Sequence, residues 1–377
     1  MNLKKVQAIA RKEYFHLIRD FRSLYLAFFI PLLLILLFGY ALSLDVENIR
    51  TVVVDQDRTQ ESRDFIRKLS ASVYFDVIGY LPDSAAAVRY IDRNLAILVI
   101  VIPPDWTENL KSDRKSALQV IIDGSDPNFA GSTRAYMTAY ISQANQKELV
   151  KFLNRQGLEK IKTPVEGRIR VWFNEDLESR NFIVPGIIGL IIMIVGALLT
   201  SLVIAREYEN GTMETIRSLP VGAAEFLLGK AIPYFFIALI DVLVAILMGQ
   251  LLFDVVMKSS FWMMIIASSI YLGVALCIGL LISTLTQSQL VANQMAILVT
   301  YLPSLLLSDF VFPQENMPII LKMISHIVPA TYYIDILNGL YLRNLTLSYL
   351  WPSFLVLLLM LFLLAGLNLA VLKKEGL

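Results

Sequence analysis

The sequence predicts a polytopic α-helical membrane protein with six transmembrane helices, cytoplasmic N and C termini, and an α/β extracytoplasmic domain inserted between helices 1 and 2. Hydrophobic residues make up 56% of its 377 residues, well above the share in a soluble domain. Six apolar runs are long enough to cross a bilayer, for which about 20 residues suffice. Residues 44–181 contain no such run and carry most of the charge.

The first segment, residues 1–23, has the pattern of a cytoplasmic interfacial amphipathic helix. Its apolar residues recur at helical spacing, while Lys5, Lys12 and Arg19 lie seven residues apart on another face. We expect these interfacial basic residues to contact anionic membrane lipids. A leader that only directs insertion is the alternative.

The apolar runs define the predicted spans, which are 24–43, 182–205, 231–253, 262–283, 290–307 and 349–372. The first resembles a signal peptide cleaved at Ala41-Leu42-Ser43, but its apolar run exceeds the roughly 7–15 residues of a signal core. The fifth contains Asn293 and Gln294, so it is either a helix with a polar inner face or partly irregular backbone. Residues 308–348, with Pro329 between two short apolar pieces, have the pattern of a re-entrant extracytoplasmic segment.

The distribution of basic residues predicts the orientation. Residues 1–23, the loop 206–230 and the tail 373–377 together hold eleven Lys and Arg, whereas the short loops on the other side hold three. Basic residues accumulate in cytoplasmic loops, so these three segments are predicted to be cytoplasmic. The single cysteine, Cys277, lies in the fourth span, which leaves no disulfide for the outside domain.

The segment 44–181 reads as a water-facing domain. Residues 45–181 hold 20 acidic and 19 basic residues, so the domain has no field of either sign that would attract nucleic acid. Strand-like runs alternate with helical patterns, which favours an α/β layer. The acid pairs Asp55/Asp57 and Asp123/Asp126 stand beside turn residues and are predicted to cap loops rather than bind metal. The strand-like runs are Ile49 to Val54, Tyr74 to Tyr80, Leu95 to Ile102, Leu118 to Ile122 and Arg168 to Phe173.

A charged island, residues 206–214, separates the second and third spans. Asn210-Gly211 is a turn dipeptide, Thr212 is a candidate N-cap, and Pro220 ends the segment. Glu214 would lie in the first helical turn, where the helix dipole favours an anion. The pattern predicts a short rigid helix lying across the cytoplasmic membrane face.

Polar residues within the membrane are candidates for a translocation pathway. Asp241 lies near the middle of the third span, where an ionised side chain is costly unless it is paired or hydrated. Helix packing is the alternative role for such residues. The full candidate set is Asp241, Asn293, Gln294, Asp335 and Asn338.

The chain has no phosphate-binding loop of the form G-x-x-x-x-G-K-[ST]. The nearest match, Gly222 to Lys230, has six intervening residues and is followed by Ala231 where a hydroxyl is needed. With no paired catalytic set and no metal cluster either, the chain is not predicted to be an enzyme, and any ATP hydrolysis belongs to a partner.

The island resembles the coupling loop of the permease subunit of type 2 ABC exporters. The branch it resembles is multidrug-efflux-like and carries a large extracytoplasmic domain between the first and second spans. Val184-Pro185-Gly186, Gly229-Lys230 and Pro329-Ala330 are also similar to that branch. The resemblance assigns coupling to the ATPase partner to Arg206, Glu207, Glu209, Gly211, Thr212, Met213, Glu214 and Pro220.

The resemblance implies a set of partners and a role. It implies a separate ABC ATP-binding subunit that binds ATP and Mg, and a second copy of the chain or a homologous permease. It also implies membrane lipids, a periplasmic adaptor (membrane fusion) protein, and a place in the bacterial inner membrane. The expected function is export of drug-like or lipid-like amphiphilic small molecules. The alternative is a membrane-anchored scaffold or receptor with a ligand-binding extracytoplasmic domain.

Overall fold

The computed structural model describes residues 1–41, 48–112, 114–125, 127–155, 173 and 179–377. The chain divides into two compact units, one formed by Leu44–Arg170 and the other by Met1–Ser43 with Val171–Leu377. Three sequence predictions fall outside the described residues: the cleavage site beyond Ala41, Asp126, and the strand at 168–173 apart from Phe173.

The elements follow the chain in an order that places a small mixed unit between helical segments. The first two helices are α1 (Leu3–Arg19) and α2 (Phe21–Ala41). The α/β unit contains β1 (Ile49–Asp55), α3 (Gln60–Ser70), β2 (Phe75–Tyr80), α4 (Ser84–Asp92), β3 (Leu98–Ile102), α5 (Trp106–Lys111), β4 (Gln119–Ile122) and α6 (Pro127–Arg155). The remaining helices are α7 (Arg180–Glu209), α8 (Thr212–Ser218), α9 (Ala223–Phe253), α10 (Phe261–Thr286), α11 (Gln289–Ala296), α12 (Leu302–Leu307), α13 (Ile319–Ser325), α14 (Pro329–Tyr341) and α15 (Leu347–Lys374).

The α/β unit is built on a four-stranded sheet with the order β2-β1-β3-β4. Strand β1 is parallel to both β2 and β3, and β4 is antiparallel to β3. All five residues of β3 are buried, because apolar clusters cover both faces of the sheet. A continuous apolar run is what a strand covered on both faces requires. The strands and helices of this unit alternate along the chain, as the sequence predicts.

The acidic residues after β1 close loops, as the sequence analysis expects. Asp55 accepts hydrogen bonds from the Arg58 backbone N–H and the Ser62 hydroxyl. Asp57 accepts from the hydroxyls of Thr59 and Thr107. Carboxylates occupied in this way stabilise turns and helix starts.

Five described helices are long and apolar enough to span a membrane: α7, α9, α10, the continuous segment Gln289–Leu307, and α15. Helices α13 and α14 together form a bent pair with an angle of 79° between them, which fits a re-entrant segment or a single broken span. The first predicted span falls on α2, whose side chains are described in part and which is not among the five.

Helix α7 lies at the centre of the helical unit, and its spanning window is 89% buried. It approaches α10 closely where both carry small residues: a Cβ at Gly196 would lie 2.8 Å from the Cβ of Ala275. The Thr200 hydroxyl donates to the Leu276 carbonyl at 3.1 Å across the same contact. Small residues and interhelical hydrogen bonds are the usual means of packing helices within membranes.

The fifth predicted span contains a π-helical turn, Ile297–Tyr301, between α11 and α12. Asn293 and Gln294, which precede it, are exposed on the surface of the single chain. The segment stays helical through the π-turn, and these two residues lie on its exposed side in the single chain. Such π-turns recur at functional sites in helical proteins.

Candidate functional site

The charged island folds as a turn followed by α8. Gly211 precedes α8 with φ of +68°, a left-handed conformation that glycine adopts without steric cost. Gly211 therefore occupies the N-cap position, Thr212 is the first helical residue, and the prediction that Thr212 is the cap is wrong. The Thr212 hydroxyl donates instead to the carboxylate of Glu207, which the preceding turn brings within reach.

Helix α8 has a packed side and an exposed side. Met213 is 2% exposed and packs into the main core of the helical unit, together with the half-buried Ile216. Glu214, Ser218 and Leu219 are exposed. The outer side of α8 thus exposes charged and apolar groups, while the inner side packs against the spans.

Four charged side chains from three helices form what we call the ion cluster: Lys12 and Glu13 of α1, Glu207 of α7 and Lys230 of α9. The Lys230 ammonium lies 2.5 Å from the Glu207 carboxylate and 2.7 Å from that of Glu13. The Lys12 ammonium lies 2.9 Å from the same Glu207 oxygen. Two ammonium groups and two carboxylates balance, so the cluster has no net charge.

Because most of its side chains are buried, the ion cluster restrains the positions of the helices that carry them. The side chains of Lys230, Glu13 and Glu207 are 2%, 5% and 9% exposed, whereas that of Lys12 is 57% exposed. A charge removed from water is tolerated only while its partners stay in place. The contacts of Lys230 therefore hold α1, α7 and α9 at fixed positions immediately behind α8.

Further polar contacts fasten α1 to the same region at both of its ends. At its C-terminal end, Arg206 donates to the Asp20 carboxylate at 3.1 Å and to His16 Nδ1 at 2.8 Å. At its N-terminal end, Glu225 accepts a hydrogen bond from the Asn2 backbone N–H at 2.5 Å. Helix α1 is thus bonded to residues on both sides of α8.

Lys5 adds to the N-terminal attachment of α1. Its ammonium donates to the Pro220 carbonyl and lies 3.8 Å from the Glu225 carboxylate. Lys5 and Lys12, both predicted to contact lipid headgroups, therefore make ion pairs within the protein. Arg19 is exposed, and lipid contact by these residues stays a prediction.

The remaining island residues divide between internal contacts and the surface. Glu209 accepts hydrogen bonds from the Gln289 backbone and side chain at 2.8 and 2.6 Å, which joins the end of α7 to the start of α11. Gly211 and Pro220 are exposed, as is Glu214. Only part of the predicted coupling set therefore faces outward; Arg206, Glu207, Glu209 and Met213 are engaged by the chain itself.

The predicted pathway residues do not form one group. Asp241 is 2% exposed among the apolar residues of α9, and its Oδ2 atom has no hydrogen-bond partner among the residues that the structure describes. Asp335 is exposed and accepts a hydrogen bond from Ser353 at 2.6 Å, and Asn338 is half-buried on the same helix. Their part in a pathway stays a prediction.

The sequence pattern does not single out Glu13, and it marks Lys230 only through the Gly229-Lys230 similarity and the incomplete phosphate-loop match. A signal for Glu13 exists, since it is an acid at the centre of an otherwise basic helix. Lys230 lies at the predicted cytoplasmic start of an apolar run. The pattern of basic residues in cytoplasmic loops accounts for it there as one more positive charge. Neither pattern shows that the two side chains meet.

The described residues contain no group of three or more His, Cys, Asp or Glu side chains placed to hold a metal ion. The segment that most resembles a phosphate-binding loop, from Gly222 to Lys230, is helical from Ala223 onward, and its lysine belongs to the ion cluster. The contacts of this site join α8 to α7 through Glu207 and join α7 to α1 and α9 through Lys230.

Comparisons with known proteins show what the chain is similar to. Residues 21–370 match the sequence profile of a family described as ABC-2 family transporter protein. The chain is 34% identical to the probable multidrug ABC transporter permease YbhS of Escherichia coli strain K12, over 91% of this chain and 90% of that protein. It is 28% identical to the probable multidrug ABC transporter permease YbhR of the same strain, over 93% of each. It is 24% identical to the inner membrane transport permease YhhJ of that strain, over 71% and 70% respectively.

Proposed function

The chain belongs to the ABC-2 transporter family, and from that membership we propose that it is the transmembrane subunit of an ATP-driven exporter. The family match covers residues 21–370 and confirms the resemblance drawn from the charged island. It also favours a transporter over a scaffold or receptor. The chain is a multi-pass membrane protein. Permeases of this family pair with an ATP-binding subunit and often form dimers. ATP and Mg would bind to that partner.

The observation that supports coupling through α8 is the ion cluster. In our proposal the ATP-binding subunit contacts the exposed side of α8, including Glu214. Because Met213 and Glu207 join α8 to the core, movement of α8 displaces α7. Because Lys230 of α9 pairs with Glu207 of α7 and with Glu13 of α1, α1 and α9 move together with α7. A rigid-body shift of packed helices is a common way to change which side of a membrane a cavity faces.

The cargo we propose is an amphiphilic small molecule. The spans are almost wholly apolar, which suits drug-like or lipid-like compounds better than free ions. The relatives YbhS and YbhR are named as probable multidrug permeases. We further propose a place in the bacterial inner membrane, a dimer with a second copy or a homologous permease, and an adaptor protein outside.

A charge reversal on the exposed side of α8 tests the proposal. In the complex assembled with its ATP-binding subunit, Glu214→Lys should lower the ATPase rate and the export of the dye Nile red by about tenfold, the effect of losing about 1.4 kcal/mol of contact free energy. The matched control is Glu315→Lys, an exposed acid remote in sequence from the island. Wild-type rates for Glu214→Lys in a correctly inserted complex would contradict the proposed coupling contact.

A further inference from the structure

A cavity of about 980 Å³ lies within the α/β unit between α3, α5 and α6. It shares no residue with the ion cluster or with α8. Binding sites for small molecules commonly enclose roughly 300–1,000 Å³, with a mainly apolar lining and a few fixed polar groups. The size therefore suits a drug-sized or lipid-sized molecule.

Three aromatic side chains, Phe65, Trp106 and Tyr140, form what we call the aromatic floor of this cavity. The ring of Phe65 stands edge-on to that of Trp106 at 5.6 Å and to that of Tyr140 at 5.1 Å. The Tyr140 hydroxyl donates to the Phe65 carbonyl at 2.6 Å. Burial raises the pKa of Tyr140 to about 12, so the hydroxyl stays protonated at neutral pH. The floor is thus rigid, uncharged and apolar.

The rim of the cavity carries charge of one sign once the side chains that form ion pairs are set aside. Glu61 is paired with Lys111 at 2.6 Å, and Glu148 is paired with Lys151 at 2.5 Å. The acid Asp64 is paired with Arg67, outside the cavity lining, at 2.9 Å. Two further lining residues, Lys68 and Lys147, are exposed and have no ion-pair partner in the described part of the chain.

From this arrangement we propose that the α/β unit binds an anionic amphiphile. The apolar body of the ligand lies against the aromatic floor, and its negative group lies between Lys68 and Lys147. An amphiphile with a positive head meets two unpaired ammonium groups and is disfavoured, since like charges brought together in a partly enclosed site repel. The site is separate from the coupling contact on α8 and works without ATP hydrolysis.

Contact quenching of Trp106 provides the test, because bromine quenches tryptophan that it touches. The protein is the full chain in phosphatidylcholine nanodiscs, with Trp172, Trp262 and Trp351 replaced by phenylalanine so that Trp106 is the only tryptophan. The probes are 11-bromoundecanoate and the matched cation 11-bromoundecyltrimethylammonium. We expect the anion to reach half-maximal quenching at a concentration at least tenfold lower than the cation.

Charge reversal at the rim distinguishes the site from partition into lipid. The double variant Lys68→Glu with Lys147→Glu should lose the preference for the anion and gain one for the cation. The control pair Arg93→Glu with Arg134→Glu, two exposed residues outside the cavity lining, should quench like the parent protein. Equal quenching by both probes, or the same loss of preference in both double variants, would overturn the proposal. Because the partner is absent, neither result depends on ATPase coupling.

Discussion

Lys230 pairs with two carboxylates that come from helices far apart in the sequence. Its ammonium contacts Glu13 and Glu207 and also lies 5.5 Å from the centre of the Phe226 ring. Removing this one cation leaves the buried Glu13 carboxylate without its ion-pair partner and leaves Glu207 paired with Lys12 alone, a far larger penalty than losing an exposed ion pair. The four members of the ion cluster therefore contribute unequally to stability.

Replacing each lysine of the ion cluster separately measures this inequality. Lys230→Met should lower the free energy of unfolding by about 3–5 kcal/mol, the cost of leaving buried charges without their partner. Lys12→Met, at the exposed position, should cost only about 0–1 kcal/mol. Denaturant unfolding of the solubilised protein checks both values. Equal losses in the two variants would mean that burial does not set the energetics of the cluster.

Asp241 is the second residue whose environment makes a clear prediction. Its Oδ2 atom is buried and has no hydrogen-bond partner in the described part of the chain. Exchanging the carboxyl for an amide of the same shape prevents an uncompensated buried charge. We expect Asp241→Asn to be at least as stable to heat as the parent protein. We also expect it to change the export profile across cationic and anionic dyes. An unchanged profile would leave Asp241 a role in packing alone.

At the scale of elements, helices α1 and α9 pack closely against each other at Gly229. A Cβ at this position would lie 2.7 Å from the Cβ of Ile9 and 3.2 Å from the Val6 carbonyl oxygen. Gly229→Ala should therefore push α1 away and cost about 1–3 kcal/mol, the usual range for overpacking. The control Gly366→Ala adds the same methyl group to α15, where nothing lies within 4 Å. Thermal unfolding compares the two, and matching midpoints would contradict the close docking of α1.

The elements themselves could largely be predicted from the sequence, because each has a local pattern. Apolar runs predict the helices α7, α9, α10 and α15, and short β-rich runs predict the strands of the α/β unit. The π-turn at Ile297–Tyr301 has no such local signature. The cap of α8 was assigned to Thr212, because a hydroxyl beside a turn favours that position, whereas the left-handed conformation required Gly211.

The partners of the site could be predicted only in part. The island pattern identified the loop and α8, but an amphipathic helix has the same pattern whether its polar face meets lipid headgroups or protein. The choice for α1 depends on Glu207, Glu225 and Lys230, which lie about two hundred residues away in the sequence. Long-range pairing of this kind has no periodic signal within either segment.

At the scale of the whole molecule, the predicted orientation places α8 and the α/β unit on opposite sides of the membrane. After Cys277→Ser, a single cysteine at Ser125 should react with a membrane-impermeant maleimide added to intact spheroplasts. A cysteine at Ser218, exposed on α8, should react only after the membrane is opened. The reverse pattern would contradict the orientation drawn from the basic residues. Both sites are exposed, so a difference in labelling reports on sidedness.

The ion cluster has a consequence for how the chain is made. Glu13 and Lys230 are 217 residues apart, and a ribosome adds about 5–20 residues per second, so α1 is complete roughly 10 to 40 seconds before its partner helix exists. Through that interval Glu13 is without the Lys230 ammonium that pairs with it in the folded chain. The side of α1 that stays exposed in the folded chain carries Tyr14, Phe15 and Ile18. These side chains suit temporary binding of α1 to the bilayer surface. Helix α1, which is synthesised first, would then be the last helix to dock.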